Sequence, residues 1–234
     1  MLSTHIREWG VIMKIIPVCG IAFALVAAPA LADGPPRDPT YVAPPPVFSW
    51  TGVYVGINGG YGWATTSTNT GPYAKGPVAG GQIGFNWQTG ALVLGLEADA
   101  QWSGQKLTET GCGFFCVTET SGVDFFGTAR LRLGVAVDRV LFYGTGGVAW
   151  MRISGTATSP PFFNLSAAGS GAGWAAGGGV EFALPGNTVT TRIEYLYMQV
   201  PGMTVTSSGF TSAPFDVTDS IVRASVNFRF PSGN

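Results

Sequence analysis

The sequence predicts an all-β fold, a closed antiparallel up-and-down eight-stranded transmembrane β-barrel. Three observations predict it. Apolar residues alternate with small or polar ones at a period of two over eight separate segments, the mark of strands with two unlike faces. The connections between those segments alternate strictly between long and short, as they do when strands run up and down between two different surroundings. Charge is also scarce: beyond residue 32 only two lysines remain, Lys75 and Lys106, too few to solvate the outside of a soluble barrel.

The first 32 residues follow a different logic. Met13 and Lys14 open a basic start, Ile15 to Ala28 is an apolar run, and Ala30-Leu31-Ala32 is a small-x-small cleavage site carried by Ala30 and Ala32. This is a secretory signal peptide, its apolar run too short for a spanning helix. Residues 1–12 lack that pattern, so Met13 is the expected true start. Cys19 has no small residue before it of the kind a lipoprotein cleavage site needs, and is expected to leave with the signal peptide.

The remaining 202 residues suit one domain. They hold 10 Lys plus Arg against 12 Asp plus Glu, a net charge of −2 that gives no reason to expect a nucleic-acid partner. The single histidine, His5, falls in the removed piece, so imidazole supplies neither catalysis nor metal binding. Residues 33–47 carry six prolines and form an extended periplasmic spacer.

The segments follow in order. Trp50–Trp63 sets Val53, Val55, Ile57, Tyr61 and Trp63 against Tyr54, Gly56, Asn58, Gly60 and Gly62. Val78–Trp87 sets Ile83, Phe85 and Trp87 against Gln82, Gly84 and Asn86. Leu92–Ser103 is the cleanest, with Leu92, Leu94, Leu96, Ala98, Ala100 and Trp102 opposed to Gly95, Glu97, Asp99 and Gln101. Gly122–Val135 opposes Val123, Phe125, Leu131, Leu133 and Val135 to Asp124, Thr128, Arg130 and Arg132. In Val140–Ile153 both faces are mixed, and Phe142, Val148 and Trp150 mark the more apolar one. Ala172–Leu184 opposes Trp174, Val180, Phe182 and Leu184 to Gly177, Gly179 and Glu181. Thr188–Val200 opposes Val189, Ile193, Tyr195 and Tyr197 to Arg192 and Glu194. Val217–Phe230 opposes Val222, Ala224, Val226, Phe228 and Phe230 to Arg223, Ser225, Asn227 and Arg229. Residues 64–77, 104–121, 154–171 and 201–216 read as long loops, and residues 88–91, 136–139 and 185–187 as tight turns.

Period two alone does not say which face points at what. Small residues suit the inside of an eight-strand barrel, which is just wide enough for side chains. Trp63, Trp87, Trp102, Trp150, Trp174 and Tyr197 sit near strand ends, as membrane-interface girdles do. Strands of this length fit a tilted crossing, and only a closed barrel satisfies every backbone group inside a bilayer. The apolar face therefore points at lipid, which makes outer-membrane lipid and lipopolysaccharide the surrounding partners.

The residues also resemble a family. Phe48-Ser49-Trp50-Thr51-Gly52-Val53-Tyr54-Val55-Gly56 after a Pro-rich spacer, then the run 141–149 (LFYGTGGVA), the run 177–182 (GGGVEF) and the run 192–197 (RIEYLY), resemble the small outer-membrane proteins of alphaproteobacteria, the Opa-like or porin-like eight-strand surface antigens. The resemblance spans most of residues 48–230. It implies that Phe228 and Phe230 act as the terminal assembly signal read by barrel-assembly machinery. This chain departs from the pattern in the tail 231–234 after the last aromatic, and in Ser225 where glycine is common.

The inward positions hold the candidate chemistry. Glu97, Asp99, Glu181 and Glu194 face the lumen together with Arg130, Arg132, Arg192, Arg223 and Arg229. A mutually neutralising charge network is expected, since unpaired buried charge is costly. No nucleophile–base constellation accompanies it, so no catalytic residue is assigned. A lumen so filled is expected to conduct poorly. Cys112 and Cys116 fall in the second long loop of an exported chain. Two thiols do not complete a structural zinc site, and a small disulfide at the loop tip is expected. The glycine runs 144–147 and 177–179 are not followed by a helix, which a phosphate cradle requires.

The expected role is a non-catalytic structural barrel, without cofactor, that supports the envelope and displays loops, with termini and short turns in the periplasm. A narrow small-solute channel is one alternative. An adhesin or haemin-binding surface protein, using the aromatic-bearing loops to engage a host or small-molecule ligand, is another. A soluble lipocalin-like barrel is disfavoured by the lysine count.

Overall fold

Alternation in the sequence becomes eight long strands and two short ones. The computed structural model describes residues 48–67 and 74–231. The signal peptide with Met13, Ala30 and Ala32, the spacer 33–47, and residues 232–234 of the tail lie outside the described residues. The strands are β1 (Gly52–Thr66), β2 (Ala74–Thr89), β3 (Leu92–Cys112), β4 (Cys116–Val137), β5 (Val140–Ser159), β6 (Phe163–Ala183), β7 (Val189–Met203), the short β8 (Thr206–Ser207) and β9 (Phe210–Thr211), and β10 (Phe215–Pro231).

All pairings are antiparallel, and each long strand pairs with its sequence neighbours. The ring closes where β1 pairs β10 from Gly52↔Pro231 to Thr66↔Val217. Closure leaves no edge within the membrane. At one end the turns are tight and positive φ appears where it is needed, at Gly90 (59°), Asp138 (50°), Gly186 (101°) and Asn187 (61°).

The outward face matches the apolar face of the sequence. Ile57, Ile83, Leu96, Leu131, Phe142, Val148, Ile193 and Phe228 are all exposed on the wall. Trp63, Trp102, Trp150 and Trp174 ring one end and Trp87 marks the other. On β4, Gly127 lies under the Trp150 indole, where a Cβ would come within 2.5–2.7 Å of the ring.

Two expectations change. Val123 is buried in the lumen, at 1% exposure, and not on the lipid face. A bulge at Asp124 shifts the β4–β5 register between Val123 and Phe125, so the faces exchange there. The spans 104–121 and 154–171, expected as loops, are largely strand: β3 and β4 pair out to Cys112↔Cys116, and β5 and β6 out to Ser159↔Phe163. Threonine explains much of this. It is β-branched, and Thr108–Thr120 and Thr110–Thr118 join hydroxyls across the hairpin at 3.1 and 3.0 Å. β4 and β5 also pair out to Thr118↔Thr158, so the two hairpins continue the wall as one sheet.

Candidate functional site

The inside of the barrel is filled in three layers. The middle layer is ionic. Glu97 on β3 lies at its centre, with Arg130 Nη2 at 2.6 Å, Arg192 Nη1 at 2.5 Å and Arg132 Nη1 at 3.6 Å. Asp99, two residues along the same strand, meets Arg130 at 2.9 Å and Arg223 at 3.1 Å, and accepts from the Thr128 hydroxyl at 2.7 Å. Glu194 on β7 meets Arg223 at 2.6 Å and Arg130 at 3.0 Å. Glu181 on β6 meets Arg132 at 2.7 Å.

Four carboxylates thus face four guanidiniums, with side chains almost wholly removed from solvent. The sharing makes the layer more than a set of pairs: Arg130 bridges three acids and Glu97 engages three arginines within 3.6 Å. Buried charge is tolerated when each group is paired and hydrogen-bonded in this way.

Neutral side chains complete the layer, in addition to the charged residues that the sequence predicts for it. Tyr54 on β1 donates to Glu97 at 2.6 Å and accepts from Arg132 at 2.7 Å. Tyr143 on β5 donates to Glu194 at 3.1 Å, and its ring lies 4.0 Å from the Arg132 guanidinium carbon. Gln82 on β2 donates to Asn227 on β10 at 2.7 Å, and Asn227 donates to Glu181 at 3.0 Å. All eight wall strands contribute. The signal was strand parity, since each of these residues shares the inward face of its strand with smaller or charged neighbours. Glycine opposite makes the room: a Cβ on Gly84 would overlap the Tyr54 phenol.

Arg229 corrects an expectation. It forms no ion pair with the four acids among the described residues, and instead sits at the mouth by the tight turns. Its guanidinium donates to the carbonyl oxygens of Ser49 at 2.7 Å, Thr51 at 3.4 Å and Asn187 at 3.4 Å. It also stacks 4.7 Å from the Phe48 ring. Phe48 and Trp50, at 3% and 0% exposure, form with Val93, Leu141 and Tyr143 an apolar cap over this mouth. Trp50, expected to open the first strand, precedes it. Its backbone N–H donates to Gln88 at 2.6 Å and its indole to the Asp138 carbonyl at 3.4 Å.

The third layer, towards the long hairpins, is apolar. Phe126, Met151, Ile153, Leu196, Met198, Val200 and Ile221 pack there with Val123. Within it Asp219 accepts from Gln105 at 2.8 Å. At the hairpin tip Cys112 and Cys116 are joined sulfur to sulfur. Phe115 meets Phe162 of the next hairpin at 5.5 Å between ring centroids, and Phe114 beside them is fully exposed. Phe228 and Phe230 stand on the outward face of β10, exposed to the bilayer side. Among the described residues no group of three His, Cys, Asp or Glu is placed to hold a metal ion.

Known proteins similar to this chain in sequence are outer-membrane proteins. Residues 21–230 match the family model of the outer membrane protein beta-barrel domain. The chain is similar to the 31 kDa outer-membrane immunogenic protein of Brucella melitensis biotype 1, 32% identical over 93% of this chain and 100% of that one. It is also similar to the 25 kDa outer-membrane immunogenic protein of Brucella canis, 31% identical over 92% of this chain and 94% of that one. Among solved structures, Ail of Yersinia pestis aligns over 77% of this chain and 99% of its own, at 12% identity and a TM-score of 0.46. The chain belongs to the outer membrane protein beta-barrel family, and its place is the Gram-negative outer membrane.

Proposed function

We propose that the protein is a non-catalytic structural barrel that supports the outer membrane and holds two joined hairpins above it. The filled lumen carries this reading: ionic layer, apolar layer and the Phe48–Trp50 cap leave side chains where a channel would need water. In this reading Phe228 and Phe230 are the outward aromatics that barrel-assembly machinery recognises, and the Cys112–Cys116 bond pins a hairpin tip in an oxidising compartment. Outer-leaflet lipopolysaccharide is the lipid partner on the hairpin side.

A strain lacking the gene tests it. Loss should admit detergents and large antibiotics, and a barrel trimmed of residues 107–117 should restore the barrier as well as the full chain. Failure of the trimmed barrel, with the full chain restoring it, would make the hairpins the working part. That second reading, a surface-binding protein, is favoured by one observation: Phe114, Phe115, Phe162 and Phe163 gather exposed at the joined tips.

A further inference from the structure

Lysine is almost absent from this chain, yet its two copies after residue 32 stand side by side on the outer wall. Lys75 on β2 and Lys106 on β3 are register partners, and both side chains are exposed on the outward face. Like charges set directly opposite each other destabilise a strand pair. Among the described residues neither lysine has an ion-pair or hydrogen-bond partner. The residues 68–73 add no acid.

The row continues around the wall, Lys106 opposite Gly122 and Gly122 opposite Ser154. Gly122 has no side chain, and a notch of about 150 Å³ opens there, lined by Lys106, Thr120, Asp124, Ser154 and Thr156. Arg152, two residues from Ser154, is exposed on the same face of β5. Lys106 and several hydroxyls thus share the notch with one carboxylate, Asp124, while Lys75 lies beside Lys106 and Arg152 opposite Phe125 on the same wall. Glu109 and Glu119 are register partners on the opposite face of the hairpin, turned away from the lysines.

Height along the wall identifies what meets these groups. The outward row of β2 runs from Trp87 to Pro77 before Lys75, and that of β3 from Leu92 to Trp102 before Lys106. Each covers about 34 Å of strand, or about 26 Å along the membrane normal at the usual tilt, close to the apolar band of such barrels. Trp63 lies opposite Lys75. The lysines thus stand just outside the hydrocarbon, at the level of lipid headgroups, on the hairpin side.

The geometry points to a binding site for the phosphorylated headgroup of an outer-leaflet glycolipid. Lys75 and Lys106 together hold a phosphate, and the hydroxyl-lined notch over Gly122 takes the adjoining sugar, with Asp124 accepting from sugar hydroxyls. This site rests on the reading that the hairpins face outward, and is independent of whether the lumen conducts.

The test uses the refolded full mature barrel in phosphatidylcholine nanodiscs. The discs contain bis-phosphorylated lipid A, dephosphorylated lipid A or phosphatidylglycerol, and native mass spectrometry reads the lipid retained. Lipid A should be retained over both others. Lys75→Ser with Lys106→Ser should weaken retention about thirtyfold, at roughly fivefold per surface lysine, while Lys75→Arg with Lys106→Arg keeps it. The boiled-against-unboiled mobility shift reports that each variant is folded. Undiminished retention by the serine variant, or equal retention of either control lipid, overturns the site. Inorganic pyrophosphate bound as tightly as lipid A would make it a free-anion site and overturns it as well. Protease treatment of whole cells runs alongside. Cleaved hairpins without lipid A retention overturn the site alone, and uncleaved hairpins overturn the outward orientation on which it rests.

Discussion

Two fillings occupy the same barrel, and they are stable for opposite reasons. The ionic layer around Glu97 is complete or it is costly: every acid in it touches arginine, and Arg130 serves three acids at once. The apolar layer around Phe126 and Met198 has no such obligation, because its contacts are additive and non-directional. A lumen can thus be closed by charge or by shape. The first kind of closure loses more when a single partner is removed, because it leaves unpaired charge as well as space.

That contrast can be broken most sharply at Glu97. Glu97→Gln leaves Arg192 and Arg130 without their shared carboxylate in a buried site, and should cost about 4 kcal/mol of stability. The urea midpoint of the detergent-refolded barrel reads it, and an unchanged midpoint would mean that water already screens the layer. Phe126→Ala should cost somewhat less, about 3 kcal/mol, because it leaves a cavity but no unpaired charge. If Phe126→Ala proves the more damaging of the two, the apolar layer and not the ionic one holds the lumen together.

The two layers also differ in how plainly the sequence announced them. The ionic layer was legible because a charged residue on one face of an otherwise apolar strand has only one place to go in a membrane barrel. Glu97 and Asp99, between the outward Leu96, Ala98 and Ala100, are the plainest case. The apolar layer was hidden, because Leu196 or Met198 on an inward position looks like any lipid-facing residue of a strand with two mixed faces. Val123 was misplaced for a further reason, since a bulge adds one residue without a distinctive mark and exchanges the faces beyond it.

Arg229 shows a third limit. Its inward parity is matched, but parity says nothing of height, and Arg229 lies at the mouth by the tight turns, where backbone carbonyls of Ser49 and Thr51 are its partners. The Ser, Thr and Gly content of 104–121 and 154–171 predicts loops. Composition of that kind is equally that of a hydrated sheet above a membrane, where neither face must be apolar. Register between neighbouring strands, which pairs Lys75 with Lys106, is fixed by turns and bulges and is not written in either strand alone.

Single-channel recording on the refolded mature barrel in a planar bilayer tests the filled lumen most directly. A barrel closed by the ionic layer, the apolar layer and the Phe48–Trp50 cap should give a flat trace at protein loads where a porin control gives regular steps. Reproducible unitary steps from the native chain would contradict it, and would make the protein a channel.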